Sequence, residues 1–248
     1  MEAPVVEVRG VWKVFEGNEV LKGVSLTLPR GTTIAVMGGS GQGKTVLLRL
    51  IAGLIRPDAG EVRLFGTRID HLREEQMLSL RRRTGFVFQS SALFDSLSVF
   101  ENVAYPLREH MRTGEAEIAD RVQTFLSLVG LAGTEELLPA ELSGGMRKRV
   151  GIARALVLEP EVVFFDEPTA GLDPTNARMV SELIAQLHTG VCDTAIVVTH
   201  DIEFAGMVAD LMAILHEGQF VAMGAPAELH RSANSSVQAF LAGELRGS

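Results

Sequence analysis

The sequence predicts an α/β fold built around a parallel sheet, and three observations carry that prediction. A glycine-rich run (Gly38, Gly39, Ser40, Gly41, Gln42, Gly43, Lys44, Thr45) fits G-x-x-x-x-G-K-[ST], with an apolar run at 34–37 before it and apolar residues at helical spacing over 45–55 after it. Continuous apolar runs at 162–165 and 195–198 read as strands covered on both faces, as parallel sheets require. From about 98 to 158 the β signal gives way to helical periodicity, so a helical subdomain at about 90–160 follows a β-rich N-terminal part.

Taken in order, strands are expected at 5–14, 20–28 and 34–37, punctuated by Gly17-Asn18 and Pro29-Arg30-Gly31. The helix after the glycine-rich run closes at 55–60, where Pro57 and Gly60 break it, and strands follow near 61–65 and 84–88. Gly114, 130–133 and Pro139 divide the helical block. The core resumes with 162–165 and 194–199, then a hairpin of 211–215 and 219–223 turning at Glu217-Gly218. A helical extension covers about 225–248, where Val237, Phe240, Leu241 and Leu245 line one apolar stripe. Such a stripe calls for a docking surface. A neighbouring subunit is the favoured surface, and the chain's own core is the alternative.

A chain of 248 residues can bury a large core as one domain. The net charge of -8 opposes nucleic-acid binding, which wants a basic face. The short basic runs 81–83 and 147–149 read as solvated helix faces, the second with a competing role described below. Cys192 stands alone, excluding a disulfide framework and a cysteine-built metal site, and is expected in the core. No apolar run approaches the ~18 residues of a spanning helix, and Met1-Glu2-Ala3-Pro4 opens no signal segment, so a cytosolic polypeptide is expected. A mean hydropathy of +0.21 is high for such a chain and points to a docking surface.

The glycine-rich run makes chemical sense as a phosphate cradle. Backbone N–H groups from Gly39 to Lys44 can converge on phosphate oxygens only where side chains do not obstruct them, and the helix N-terminus adds positive potential. Lys44 would reach the β- and γ-phosphates, and the Thr45 hydroxyl would face Mg²⁺. Asp166 and Glu167 end an apolar strand, where α/β sheets hold ligands; Asp166 suits the metal, and Glu167 suits the attacking water as general base. His200 ends another strand and could hydrogen-bond the γ-phosphate, while Gln89, after a fourth, could meet Mg²⁺ or water. Ser143 can cap a helix running through 147–155, with Gly144 and Gly145 leaving amides uncovered. One triphosphate does not need two such helix ends, so a head-to-tail dimer is inferred in which this one closes over the partner's phosphate loop.

In order, GGSGQGKT, Gln89, LSGGM at 142–146, VVFFDE at 162–167, Ala170-Gly171-Leu172-Asp173 and His200 resemble the ATP-binding cassette (ABC) ATPases across nearly the whole chain. The resemblance implies one ABC-type nucleotide-binding domain of the P-loop NTPase fold over 1–248, an ATPase using ATP and Mg²⁺. It makes these segments the Walker A loop, Q-loop, signature, Walker B, D-loop and H-loop, so Asp173 joins the nucleotide site. It also implies an aromatic stacked on adenine: Phe15 matches that position, with Trp12 as the alternative. Met146 departs from the commoner LSGGQ without touching Ser143 or the glycine amides.

A narrower resemblance lies in 89–94, 99–110 and the LSGGM signature, which are similar to the ATPases of Mla phospholipid transport and other Mce-type lipid transporters. That likeness implies a peripheral subunit on the cytoplasmic face of the bacterial inner membrane, working as a homodimer in outer-membrane lipid asymmetry. Its implied partners are an MlaE-like permease, an MlaD-like MCE-domain protein and often an MlaB-like STAS-domain protein. Competing readings are an importer ATPase for small polar solutes, a soluble non-transport ABC protein and a phosphate-loop kinase; the last has no use for LSGGM.

Overall fold

The structure is a computed structural model that describes residues 3–242. In chain order its elements are β1 (Val6–Phe15), β2 (Asn18–Leu28), β3 (Thr33–Met37), α1 (Lys44–Ile51), β4 (Ala59–Leu64), β5 (Thr67–Arg68), α2 (Glu74–Arg81), β6 (Thr84–Val87), α3 (Val99–His110) and α4 (Glu115–Leu128). They continue, after a 3₁₀ turn at Pro139–Glu141, with α5 (Gly144–Leu156), β7 (Val162–Asp166), α6 (Pro174–Gly190), β8 (Ala195–Thr199), α7 (Ile202–Val208), β9 (Leu211–His216), β10 (Gln219–Gly224), α8 (Pro226–His230) and α9 (Ser235–Leu241). Contacts gather these elements into two units, 3–80 with 193–242, and 81–192.

In the first unit, β2, β1, β4 and β5 form an antiparallel sheet in that order. Val6, Val8, Val11, Leu21, Val24, Leu26 and Leu28 are buried between exposed polar neighbours, the alternation of strands with one dry face. Glu16 and Gly17, at φ 50° and 83°, supply the left-handed pair that a tight hairpin turn needs. A second sheet places β3 between β8 and β9, parallel to both, with β10 antiparallel at the edge. Every residue of β3 and β8 is buried, as continuous apolar runs predict. Helix α1 packs on both β4 and β8.

The tail corrects an expectation. Val237 is fully buried and Phe240 is 8% exposed, packed with Ala35, Met37, Ala205, Met212, Ile214 and Leu229. Val237 and Phe240 of α9 therefore dock on the chain's own core, the alternative to the favoured neighbouring subunit, because β3 and β9 leave an apolar face for them. Leu241 packs partly against the same cluster; Leu245 lies outside the described residues.

In the second unit β6 and β7 run parallel, and α5 is the hub, touching α3, α4, α6 and β6. Helix α3 starts at Ser98, whose side chain accepts from Glu101 N–H at 3.2 Å, and α6 starts at Asp173 with Pro174 in its first turn. Cys192 is half-buried just past the end of α6, so the core position expected for it is overturned. The sequence pattern predicts neither β5 nor α2. The first is two exposed residues long, and the second buries only Met77 and Leu80.

Candidate nucleotide site

Residue pairing brings the predicted groups to sheet edges in each unit. In the first, Met37 lies opposite Thr199 on parallel strands, so the glycine-rich run and His200 leave the same edge side by side. Gly38 has φ 156° and approaches so closely that a Cβ there would sit 2.3 Å from the Leu215 carbonyl oxygen. Gly43 caps α1 at φ 93°, where a Cβ would come within 2.9 Å of the Val20 carbonyl oxygen. Both positions admit only glycine. Gly43, the N-cap of α1, brings no side chain to the helix start, the arrangement that suits an anion there.

Lys44 is 7% exposed and folds back over the loop, its Nζ donating to the carbonyls of Gly38 and Gly39 at 2.9 Å each. Thr45 is half-buried on the next position, and Gly39, Ser40 and Gly41 run across the turn, with Gly41 exposed at φ 77°. Gln42 has a task that its place in the motif does not reveal: its Oε1 accepts from Glu217 N–H at 2.5 Å, tying the loop to the β9–β10 hairpin. His200 is exposed. Phe15 is 44% exposed at the end of β1, with Lys13 Nζ 5.1 Å from its ring centroid; Trp12, 38% exposed, lies over Gly23.

In the second unit Val87 pairs with Phe165, so Gln89 and the Asp166–Glu167 pair leave one edge together. Asp166 is 2% exposed and Glu167 8%. Glu167 adopts φ 46°, a left-handed backbone that a non-glycine residue holds only when its surroundings impose it. The exposed Gln89 and buried Glu167 share a partner, because Lys148 Nζ donates to both of their carbonyl oxygens. Lys148 is 5% exposed; burial pulls its pKa down, opposed by the carboxylates of Asp166 and Glu167. The solvated face expected for 147–149 is thus overturned at Lys148 and in part at the half-buried Arg149, while Arg147 is exposed. Arg149 likewise donates to the carbonyls of Val129 and Gly130 at 3.1 and 3.2 Å, and Arg147 to that of Leu142. Interleaved Val150, Gly151 and Ile152, all buried, were the available sign that this helix has no fully solvated face.

Ser143 caps α5 as its residue type predicts, its Oγ accepting from Met146 N–H at 3.2 Å. Gly144 is half-buried; a Cβ on Gly145 would lie 2.4 Å from Asn176 Oδ1. Asp173 caps α6, accepting from the N–H groups of Thr175 and Asn176 at 3.1 Å each and from Asn176 Nδ2 at 2.6 Å. That side-chain bond holds the Asp173 carboxyl below its ordinary pKa. Asn176 so links Asp173 to Gly145, a contact with no sign in the sequence.

Among the described residues no cluster of three or more His, Cys, Asp or Glu side chains forms a metal centre. The Thr45 hydroxyl in the first unit, and the Gln89 amide and buried Asp166 carboxylate in the second, are each hard oxygen donors of the kind Mg²⁺ takes. No described helix is long and apolar enough to cross a membrane.

Residues 21–170 match the family model for ABC transporters. The intermembrane phospholipid transport system ATP-binding protein MlaF of Escherichia coli K12 is 41% identical over 242 residues, covering 97% of this chain and 90% of that one. The probable ribonucleotide transport ATP-binding protein mkl of Mycobacterium tuberculosis is 40% identical over 98% of this chain and 67% of its own length. Among solved structures, the ATP-binding cassette MJ0796, a dimer bound to ADP and Pi, superposes with a TM-score of 0.81 at 31% identity over 89% of this chain and 98% of that one. Phosphate loop, capped signature helix and strand-end carboxylates thus occur in a chain that matches such cassettes almost end to end: it belongs to the ABC transporter family, as one of its ATP-hydrolysing cassettes.

Proposed function

We propose that this single-cassette chain powers phospholipid transport through a membrane permease, as a head-to-tail homodimer at the cytoplasmic face of the bacterial inner membrane. The observation that carries the reading is the near end-to-end likeness to MlaF, covering 90% of that protein against 67% of mkl. Dimeric MJ0796 supports the homodimer. An MlaE-like permease, an MlaD-like MCE-domain protein and an MlaB-like STAS-domain protein are the partners proposed.

The residue roles follow from chemistry. The amides of 39–44 and the Lys44 ammonium bind the phosphates, with Phe15 stacked on the adenine. Thr45, Asp166 and Gln89 would hold Mg²⁺, which when bound neutralises charge on the phosphate oxygens. Glu167 takes a proton from water as its oxygen attacks the γ-phosphorus, and the bond to the β-γ bridging oxygen breaks, leaving ADP and phosphate. His200 orients the γ-phosphate, and Ser143, Gly144, Gly145 and Asp173 close over the partner subunit's nucleotide.

Two variants test these roles. Glu167→Gln is expected to bind ATP while losing turnover, and Lys44→Ala to lose binding, both followed by equilibrium nucleotide binding and phosphate release; near-normal hydrolysis by Glu167→Gln removes it from the role of base. Purifying the complex from native membranes and identifying its chains and bound lipids tests the cargo. A ribonucleotide carried in place of phospholipid, as the name of mkl would have it, refutes the lipid reading.

A further inference from the structure

One face of α5 presents Lys148, Gly151 and Arg154, at i, i+3 and i+6, to the segment that follows β6. Lys148 holds the Gln89 carbonyl. Gly151 leaves room for Ser91, whose Cβ would stand 3.5 Å from a Cβ built there. Arg154 donates to the carbonyls of Ser91 and Ala92 at 2.8 Å each. Ser91 and Ala92 are left-handed, at φ 63° and 46°, as is Glu167 at φ 46°. Cations of one helix therefore grip carbonyls of the strained residues on both strand exits of this unit. Lys148 reaches both exits, donating to Glu167 O at 3.3 Å as well as to Gln89 O.

We propose that Lys148 is a positioning residue for ATP hydrolysis, clamping the backbone carbonyls of Gln89 and Glu167 together so that the Glu167 carboxylate is aimed at the attacking water. This rests on the reading of Glu167 as the base. The clamp grips the peptide of Glu167, so it sets the direction in which the side chain leaves the backbone. Burial of the ammonium makes the clamp stiff: a side chain 5% exposed with two main-chain acceptors has few other rotamers to visit. None of these bonds runs to Lys44 or Ser143, and because Gln89 is a proposed Mg²⁺ ligand, affinity is compared without Mg²⁺.

The test uses the full chain and compares Lys148→Met with wild type. Turnover is expected to fall by roughly tenfold to a hundredfold, the cost of aiming a catalytic group ~1 Å wide of its mark, while ATP affinity without Mg²⁺ stays within about twofold. Lys148→Arg should recover part of the rate, because a guanidinium can still donate to two carbonyls. A merely structural role is separated by a double-variant cycle. In a Glu167→Gln background Lys148→Met should add no further loss to single-turnover hydrolysis, since the group it aims is already gone. Additive losses, or unchanged turnover in Lys148→Met, overturn the proposal. If Lys148→Met does not fold by thermal melting, Lys148→Leu, a shorter side chain that likewise lacks a donor, carries the same cycle. Wild-type protein that hydrolyses no ATP would instead count against the function proposed above, so the two failures are distinct.

Discussion

Replacing Phe240 with alanine tests where the C-terminal helix belongs. The ring is 8% exposed within the cluster of Ala35, Met37, Met212, Ile214 and Leu229, and α9 has only Val237 and the partly buried Leu241 besides it as apolar anchors. Phe→Ala in a packed site costs ~3 to 5 kcal/mol, and the low end applies at a short peripheral helix that can readjust, giving about 3 kcal/mol. Gross docking from Phe240 and Val237 is itself only ~3 to 6 kcal/mol, offset by the entropy of ordering the helix, so the loss falls on local undocking before global unfolding. At ~1.4 kcal/mol per decade, 3 kcal/mol is about two decades of hydrogen-exchange protection. The reporters are the amides of Gln238 and Ala242, bonded to the carbonyls of Asn234 and Gln238, against those of β3 as control. Protection at Gln238 and Ala242 should fall with β3 unchanged, and sedimentation should show the same association state as wild type. Undiminished protection in α9 accompanied by weaker self-association would refute the reasoning and return Phe240 to an intersubunit contact.

Asn102 is fully buried, accepting from Phe94 N–H at 2.8 Å and donating to the carbonyls of Phe94, Leu97 and Ser98 at 3.0 to 3.1 Å. Asn102→Asp turns that donor into an acceptor facing those carbonyls, so a loss of about 3 kcal/mol and a fall in Tm of roughly 6 to 12 °C are expected, and a change below about 2 °C would contradict this accounting. Burial pushes the Asp70 pKa up, but hydrogen bonds from the Arg68 guanidinium and the Val62 N–H outweigh it and leave the net shift downward. A depressed folded pKa gives stability that is present above the ordinary carboxyl pKa of ~4 and is lost as pH falls through the folded value. Urea midpoints of wild type and Asp70→Asn should therefore differ at pH 7 and converge toward pH 2.5, and a gap that persists there would be the contrary result. Gly38→Ala would drive a Cβ into the Leu215 carbonyl, so equilibrium ATP binding should be lost with the far-ultraviolet spectrum intact; retained affinity would show that the loop has room.

What could be read from the sequence was local chemistry. The phosphate loop is contiguous and its glycines are demanded by backbone geometry; β3 and β8 announce themselves as unbroken apolar runs; Ser143 caps the helix that its residue type favours. Illegible were the features decided by what packs opposite. A basic triplet at 147–149 looks the same whether its neighbour is water or, as here, a set of carbonyl oxygens. The stripe at Val237 and Phe240 declares that α9 docks but carries no record of the surface it meets. Gln42 and Asn176 form contacts whose partners are distant in the chain or fixed by backbone turns, so no spacing rule reaches them. The residues with left-handed backbones, Ser91, Ala92 and Glu167, carry no glycine or asparagine to betray them.

The register of β3 also orders events in time. Its partners start at Ala195 and Leu211, and the phosphate loop leans on Leu215 and Glu217, while the whole of 81–192 lies between in sequence. At ~5 to 20 residues per second of synthesis, roughly 10 to 35 s separate the emergence of Lys44 from that of Glu217. The uninterrupted stretch 81–192 has its internal contacts in hand before then, whereas the loop that gives the protein its chemistry stays without a seat until nearly the last strands are made. Nucleotide binds a seated loop and not an unfinished one, so cellular ATP stabilises only chains that have completed β9 and β10 and biases the last stage of folding toward them.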